Sequence, residues 1–100
     1  MAVNIWKFRV TPGNEVEFLR MNREDWPELF GKSDGYRGTR VLHNSDDPRV
    51  YITEDEWVSK THFEDLLAEH SVDYQYLSAK HEALCDESPQ YIGFFENIDL

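Results

Sequence analysis

Cysteine occurs once, at Cys85, so no internal disulfide framework can form, and the usage fits a reducing compartment. Basic residues are scarce. Ten Lys and Arg face twenty Asp and Glu, for a net charge of −10, and the acids are spread along the chain and not gathered in a tail. Nucleic acid and anionic membrane surfaces are excluded as partners, because both need basic patches. No apolar run approaches membrane-spanning length. The opening MAVNIWKFRV carries charges inside its apolar run and no cleavage site, so it is not a signal peptide, and a cytoplasmic protein is expected. GKSDGYRG lacks the Lys-Ser/Thr ending of a phosphate loop and opens no helix. No cysteine pair offers zinc ligands, and His62 and His70 lie eight residues apart, too far to share a metal within one helix, so no metal site is expected. No nucleophile elbow is present. Repeats, linkers and low-complexity segments are also missing, and 100 residues make a single domain over 1–100.

Aromatics are plentiful instead: fourteen, which need a core, a pocket or an interface. The most informative stretch runs from Asp46 to Leu67, DDPRVYITEDEWVSKTHFEDLL. Asp46-Asp47-Pro48 is turn chemistry. Val50 to Trp57 is rich in β-branched and aromatic residues and reads as a strand. Ser59 stands where a helix N-cap belongs, and Phe63, Leu66 and Leu67 give the helix its apolar face. Within the strand, Tyr51, Thr53, Asp55 and Trp57 alternate with Val50, Ile52, Glu54 and Glu56. Both faces have apolar and acidic character, so both are expected to be covered.

Elsewhere, Ala2 to Val10 alternates as a first strand. Thr11-Pro12 predicts a helix start, with a hydroxyl cap and Pro at the first helical position. That helix is expected to reach about Phe30, with Val16, Leu19, Arg23, Trp26 and Phe30 on one stripe and a kink or end near Asp25 caused by Pro27. Tyr36 to His43 is a second strand and forms a hairpin with the third. Helices follow from about Ser59 to Glu69 and from Val72 to Cys85, and Gln90 to Glu96 is the last strand. The order βαββααβ predicts an α+β, ferredoxin-like, four-stranded antiparallel sheet with helices on one face. Ile5, Val50 and Ile52 then lack a helical cover, which predicts a homodimer packed through the sheets.

Alternation puts Trp6 and Phe8 with Asn4 on one side of the first strand. On the third, Tyr51, Thr53 and Asp55 share the side of Trp57. If these sides face the helices, they meet Arg23, Trp26, Tyr74 and His81, and an aromatic cavity with a few convergent polar groups suits a small flat aromatic ligand. The same aromatics also serve as ordinary core. Arg23 on an apolar stripe needs a partner or solvent: either it pairs with Asp55 or it snorkels. His81 changes charge near neutral pH and is a candidate base. Cys85 lacks a cationic setting and reads as packing, and Trp57 as a strand–helix packing residue.

Asp47-Pro48, the run Asp55-Glu56-Trp57, Ser59 and Phe63 come in an order and spacing that resembles the antibiotic biosynthesis monooxygenase family of dimeric α+β barrels. Thr11-Pro12-Gly13 and Gly35-Tyr36-Arg37-Gly38 extend the likeness over nearly the whole chain. The resemblance implies two sheets packed face to face in a homodimer. It also implies oxidation of a phenolic, quinol or anthrone-type aromatic by molecular oxygen, without metal or flavin. That chemistry needs a base for the phenol, for which His81, Asp55 or a tyrosine stand available. A haem-degrading branch uses Asn, Trp and His where this chain has Trp6, Leu66 and a residue near Tyr76, so that activity is not expected. A non-catalytic dimeric ligand-binding or stress-associated protein of the same fold stays open beside the monooxygenase.

Overall fold

The computed structural model describes residues 1–100. The strands are β1 (Ala2–Arg9), β2 (Tyr36–His43), β3 (Val50–Trp57) and β4 (Gln90–Glu96). They form one antiparallel sheet in the order β2-β3-β1-β4, the ferredoxin-like arrangement. Between β1 and β2 run α1 (Glu15–Arg20), a π-helical turn (Met21–Asp25) and α2 (Trp26–Phe30). Between β3 and β4 run α3 (Lys60–Glu69) and α4 (Ser71–Glu82). The predicted βαββααβ order stands, and the bounds of β2, β3 and β4 fall where alternation placed them.

Ser59 caps α3 as its position predicts. Its Oγ accepts from the His62 amide at 3.3 Å and lies in hydrogen-bond reach of His62 Nδ1 at 2.7 Å. The His62 ring then lies on Gly35, where an added Cβ would come within 2.3 Å of the ring, so the loop into β2 needs glycine there. Two apolar groups fill the space between sheet and helices. One gathers Met21, Trp26, Leu29, Phe30, Trp57, Phe63 and Leu66. The other gathers Phe8, Val10, Phe18 and Tyr51. Trp57 is fully buried with its ring against Phe30, Tyr36 and Phe63.

The first helical segment departs from expectation twice. The helix begins at Glu15, not at Pro12, because Gly13 takes a φ of +98° and the Thr11 carbonyl closes a turn onto the Asn14 amide. Its buried face is Phe18, Met21, Asn22, Trp26, Leu29 and Phe30, whereas Val16 is 81% exposed and Leu19 and Arg23 also face solvent. The cause is the π turn. Pro27 has no N–H and its ring crowds the carbonyl four residues back. The chain widens ahead of it, with the Trp26 amide bonding to the Met21 carbonyl. A regular 3.6-residue stripe drawn through Trp26 therefore runs out of phase toward the N-terminus.

Candidate active site

A cavity of about 260 Å³ lies between the sheet and the helices. Trp6, Phe8, Trp26 and Phe30 supply its aromatic walls. Asn4, Thr53 and Asp55 enter from the sheet, and Asn22, Tyr74, Ser78 and His81 from the helices. Glu82, Ser88 and Pro89 complete the lining. Alternation explains the sheet side, since Asn4 pairs with Asp55 and Trp6 with Thr53 across the β1–β3 ladder. On α4, Tyr74, Ser78 and His81 fall three and four apart and share one face.

Of the residues proposed from sequence, Trp6, Phe8, Trp26, Thr53, Asp55, Tyr74 and His81 therefore meet in one place. Two do not. Arg23 is exposed and touches neither the cavity nor Asp55, because the π turn rotates it outward and brings Asn22 in. Tyr51 is buried in the second core group, 5.0 Å from the Phe18 ring and stacked at 4.6 Å on His43. It lies one pleat beyond Thr53, past the end of the cavity.

His81 is 4% exposed, with Phe8 at 4.5 Å, Phe18 stacked at 4.8 Å and Trp26 at 5.7 Å between ring centroids. Burial pushes its pKa down to about 4. Asn22 Nδ2 donates to the Phe18 carbonyl at 2.9 Å and stands 3.0 Å from His81 Nε2. The bond to the carbonyl fixes the NH₂ end of the amide at that place, so its second hydrogen goes to His81. Nε2 is thus an acceptor already in use, and the neutral ring carries its hydrogen on Nδ1. Asp55 differs. It is 8% exposed, and burial pushes its carboxyl up to about 6, against the opposing pull of a hydrogen bond from Thr39. Thr39 Oγ1 donates to Oδ1 at 2.7 Å, and no lysine or arginine lines the cavity. Burial and the nearby Asp55 raise the Tyr74 hydroxyl above its ordinary value, so it stays protonated. Cys85 is half-buried and its thiol is raised by burial, Glu82 and Glu87.

Sequence reasoning missed Asn22, Thr39 and Phe30 as site neighbours. Asn22 is hidden by the π turn, and Thr39 by a bulge in β2. Phe30 was on the predicted stripe, and only its contact with the cavity went unread.

A four-stranded ferredoxin-like sheet with helices on one face and an aromatic cavity between the two layers defines an α+β class. A family model described as antibiotic biosynthesis monooxygenase matches residues 1–72, and the chain belongs to that family. No curated protein matches the sequence. Among solved structures, it is similar to SnoaB, a cofactor-independent oxygenase from Streptomyces nogalater. That likeness has 18% identity and a TM-score of 0.76, over 99% of this chain and 94% of that one. It is also similar to a monooxygenase from the gene ActVA-Orf6 of Streptomyces coelicolor in complex with Nanaomycin D, with 15% identity and a TM-score of 0.79 over 99% and 88%. A putative antibiotic biosynthesis monooxygenase from Bordetella bronchiseptica gives 21% identity and a TM-score of 0.76 over 97% and 96%.

Proposed function

We propose that this protein is a cofactor-independent monooxygenase that oxidises a small phenolic or quinol-type aromatic with molecular oxygen, and that it works as a homodimer. The observation that carries the reading is Asp55: a buried carboxyl whose pKa lies near 6, on the wall of an aromatic cavity. Just above that pH it is ionised and desolvated, which is the state in which a carboxylate takes a proton well. His81 is the weaker candidate, because its one ring acceptor already receives the Asn22 amide hydrogen. It holds the aromatic wall, and Asp55 takes the role of base.

In this reading the ligand lies flat between Trp6, Phe8 and Trp26, and Asp55 removes its phenolic proton. The electron-rich anion then adds oxygen at the activated ring carbon. The carbon-bound peroxide takes the proton back from Asp55 and loses water as the ring carbon gives up its hydrogen. One oxygen atom stays in the product as a carbonyl and the other leaves as water. The protein contributes orientation, a base and an aromatic-walled cavity. The test is oxygen uptake by the purified protein across a panel of quinols and anthrones, with no metal or flavin added. Uptake stoichiometric with quinone formation, with water and not hydrogen peroxide as the second product, supports the reading. Tight binding of the same compounds without turnover replaces it with the non-catalytic ligand-binding one.

The dimer is supported by the sheet face opposite the helices. Ile5 and Ile52 are partly exposed there. Leu42, paired with Ile52, and Phe95, paired with Val3, are 41% and 50% exposed. Val50, expected to be part of this uncovered face, is already buried within the chain.

A further inference from the structure

In a regular strand, side chains three apart point to opposite faces. Tyr36 and Thr39 break that parity. Tyr36 pairs with Trp57 and Thr39 with Asp55, only two positions apart on β3, and the extra residue of β2 is absorbed between Tyr36 and Gly38. Gly38 takes a φ of +137°, which strains any residue with a side chain. The bulge turns both hydroxyls to the helix side. Tyr36 Oη lies 2.5 Å from Thr39 Oγ1, and Thr39 Oγ1 lies 2.7 Å from Asp55 Oδ1. A threonine hydroxyl has one hydrogen. Thr39 spends it on Asp55, so Tyr36 must donate to Thr39. The chain runs one way, from phenol to alcohol to carboxyl, and ends on one oxygen.

We propose that Tyr36 and Thr39 are positioning residues for Asp55: a bulge-held pair of hydroxyls that orients the carboxyl, favours its ionised form and leaves its second oxygen for the acidic hydrogen of a ligand. This rests on the reading of Asp55 as the base of the site. The other elements around Asp55 supply no competing charge close by. β1 presents the uncharged Asn4, and α2 presents the rings of Trp26 and Phe30. α4 presents Tyr74, Ser78 and the neutral His81, with Glu82 further along the lining, and β4 brings Tyr91 against Trp6. Thr39 is the one side chain that donates to the carboxylate. Tyr36 itself is held protonated, since burial and Asp55 raise it.

The test is the titration of the Asp55 carboxyl, read by its ¹³C chemical shift in the full-length protein. Thr39→Val keeps shape and strand preference but removes the donor, and raises the midpoint by about one pH unit. Thr39→Ser restores it, and Tyr36→Phe raises it by less. Tyr36→Phe keeps its ring against Phe30 and Trp57, so it tests the chain even where Thr39→Val disturbs folding. In turnover, the acid limb of kcat/KM moves up with the midpoint while KM holds. Midpoints equal to wild type in both Thr39→Val and Tyr36→Phe overturn the proposal. Shifted midpoints in a protein that turns over no quinol leave it standing and remove the monooxygenase reading instead.

Discussion

Asp55 and His81 sit in one cavity and burial moves them in opposite directions, which sets how stability depends on pH. Asp55 has its folded pKa raised from 3.8 to about 6. The fold binds that proton more tightly than the unfolded chain does, so stability from Asp55 is present at low pH and is lost as pH rises from about 4 to 6. His81 has its folded pKa lowered from 6.5 to about 4. The unfolded chain binds that proton more tightly, so stability from His81 is present above pH 6.5 and is lost as pH falls toward 4. Over this window the two slopes oppose each other, each worth on the order of 3 kcal/mol in full. The Asp55→Asn substitution removes one of them. Denaturant melts of that variant are expected to lose stability steadily from pH 6.5 to 4, where the wild type changes little. At pH 7.5 the variant should be more stable than the wild type by roughly 2–3 kcal/mol while losing activity. A variant that tracks the wild type across the whole window would show that Asp55 is not held in a desolvated site.

At the scale of elements, the strands and α3 were readable because their signals are local. Period-two alternation bounds β2 and β3, and Ser59 marks the α3 start through one hydroxyl and one amide. Two of the misreadings share a cause. A π turn and a strand bulge each add one residue, and each inverts or rotates the faces that a fixed period assigns. Arg23 was read inward and Asn22 passed over for the first reason, and Thr39 escaped notice for the second. Pro27 and Gly38 mark both places in the sequence, but neither residue says which way the phase shifts. At the β3–α3 junction, Trp57 fastens strand to helix by packing alone, since its Nε1 is buried without a hydrogen-bond partner. Trp57→Ala is expected to cost about 3–5 kcal/mol in denaturant melts. A variant that keeps its melting temperature yet loses ligand binding would give Trp57 a different role.

At the scale of the molecule, one face of the sheet is covered by helices and the other carries an apolar patch crossed by ion-paired residues such as Arg40 and Glu54. An uncovered mixed sheet face fits an isologous two-fold contact, in which each copy supplies the lid for the other. Ile52 stands on β3, next to β1 at the middle of the sheet. Ile52→Glu places an unpaired charge in that contact. Sedimentation or light scattering is expected to give twice the chain mass for the wild type at micromolar concentration and a monomer mass for Ile52→Glu. A wild-type monomer at that concentration would remove the dimer from the account.

In the proposed mechanism Asp55 opens a direct reaction between a phenolic ligand and oxygen. Single-turnover oxidation of an anthrone under ¹⁸O₂, with and without the Asp55→Asn substitution, tests it most directly. The wild type is expected to place one labelled oxygen in the quinone and the other in water, with a rate that rises through pH 6 and is unaffected by a chelator. Asp55→Asn is expected to slow it about 10²–10⁴-fold while binding is kept. A quinone that carries no ¹⁸O, or an unchanged rate in Asp55→Asn, would contradict the claim.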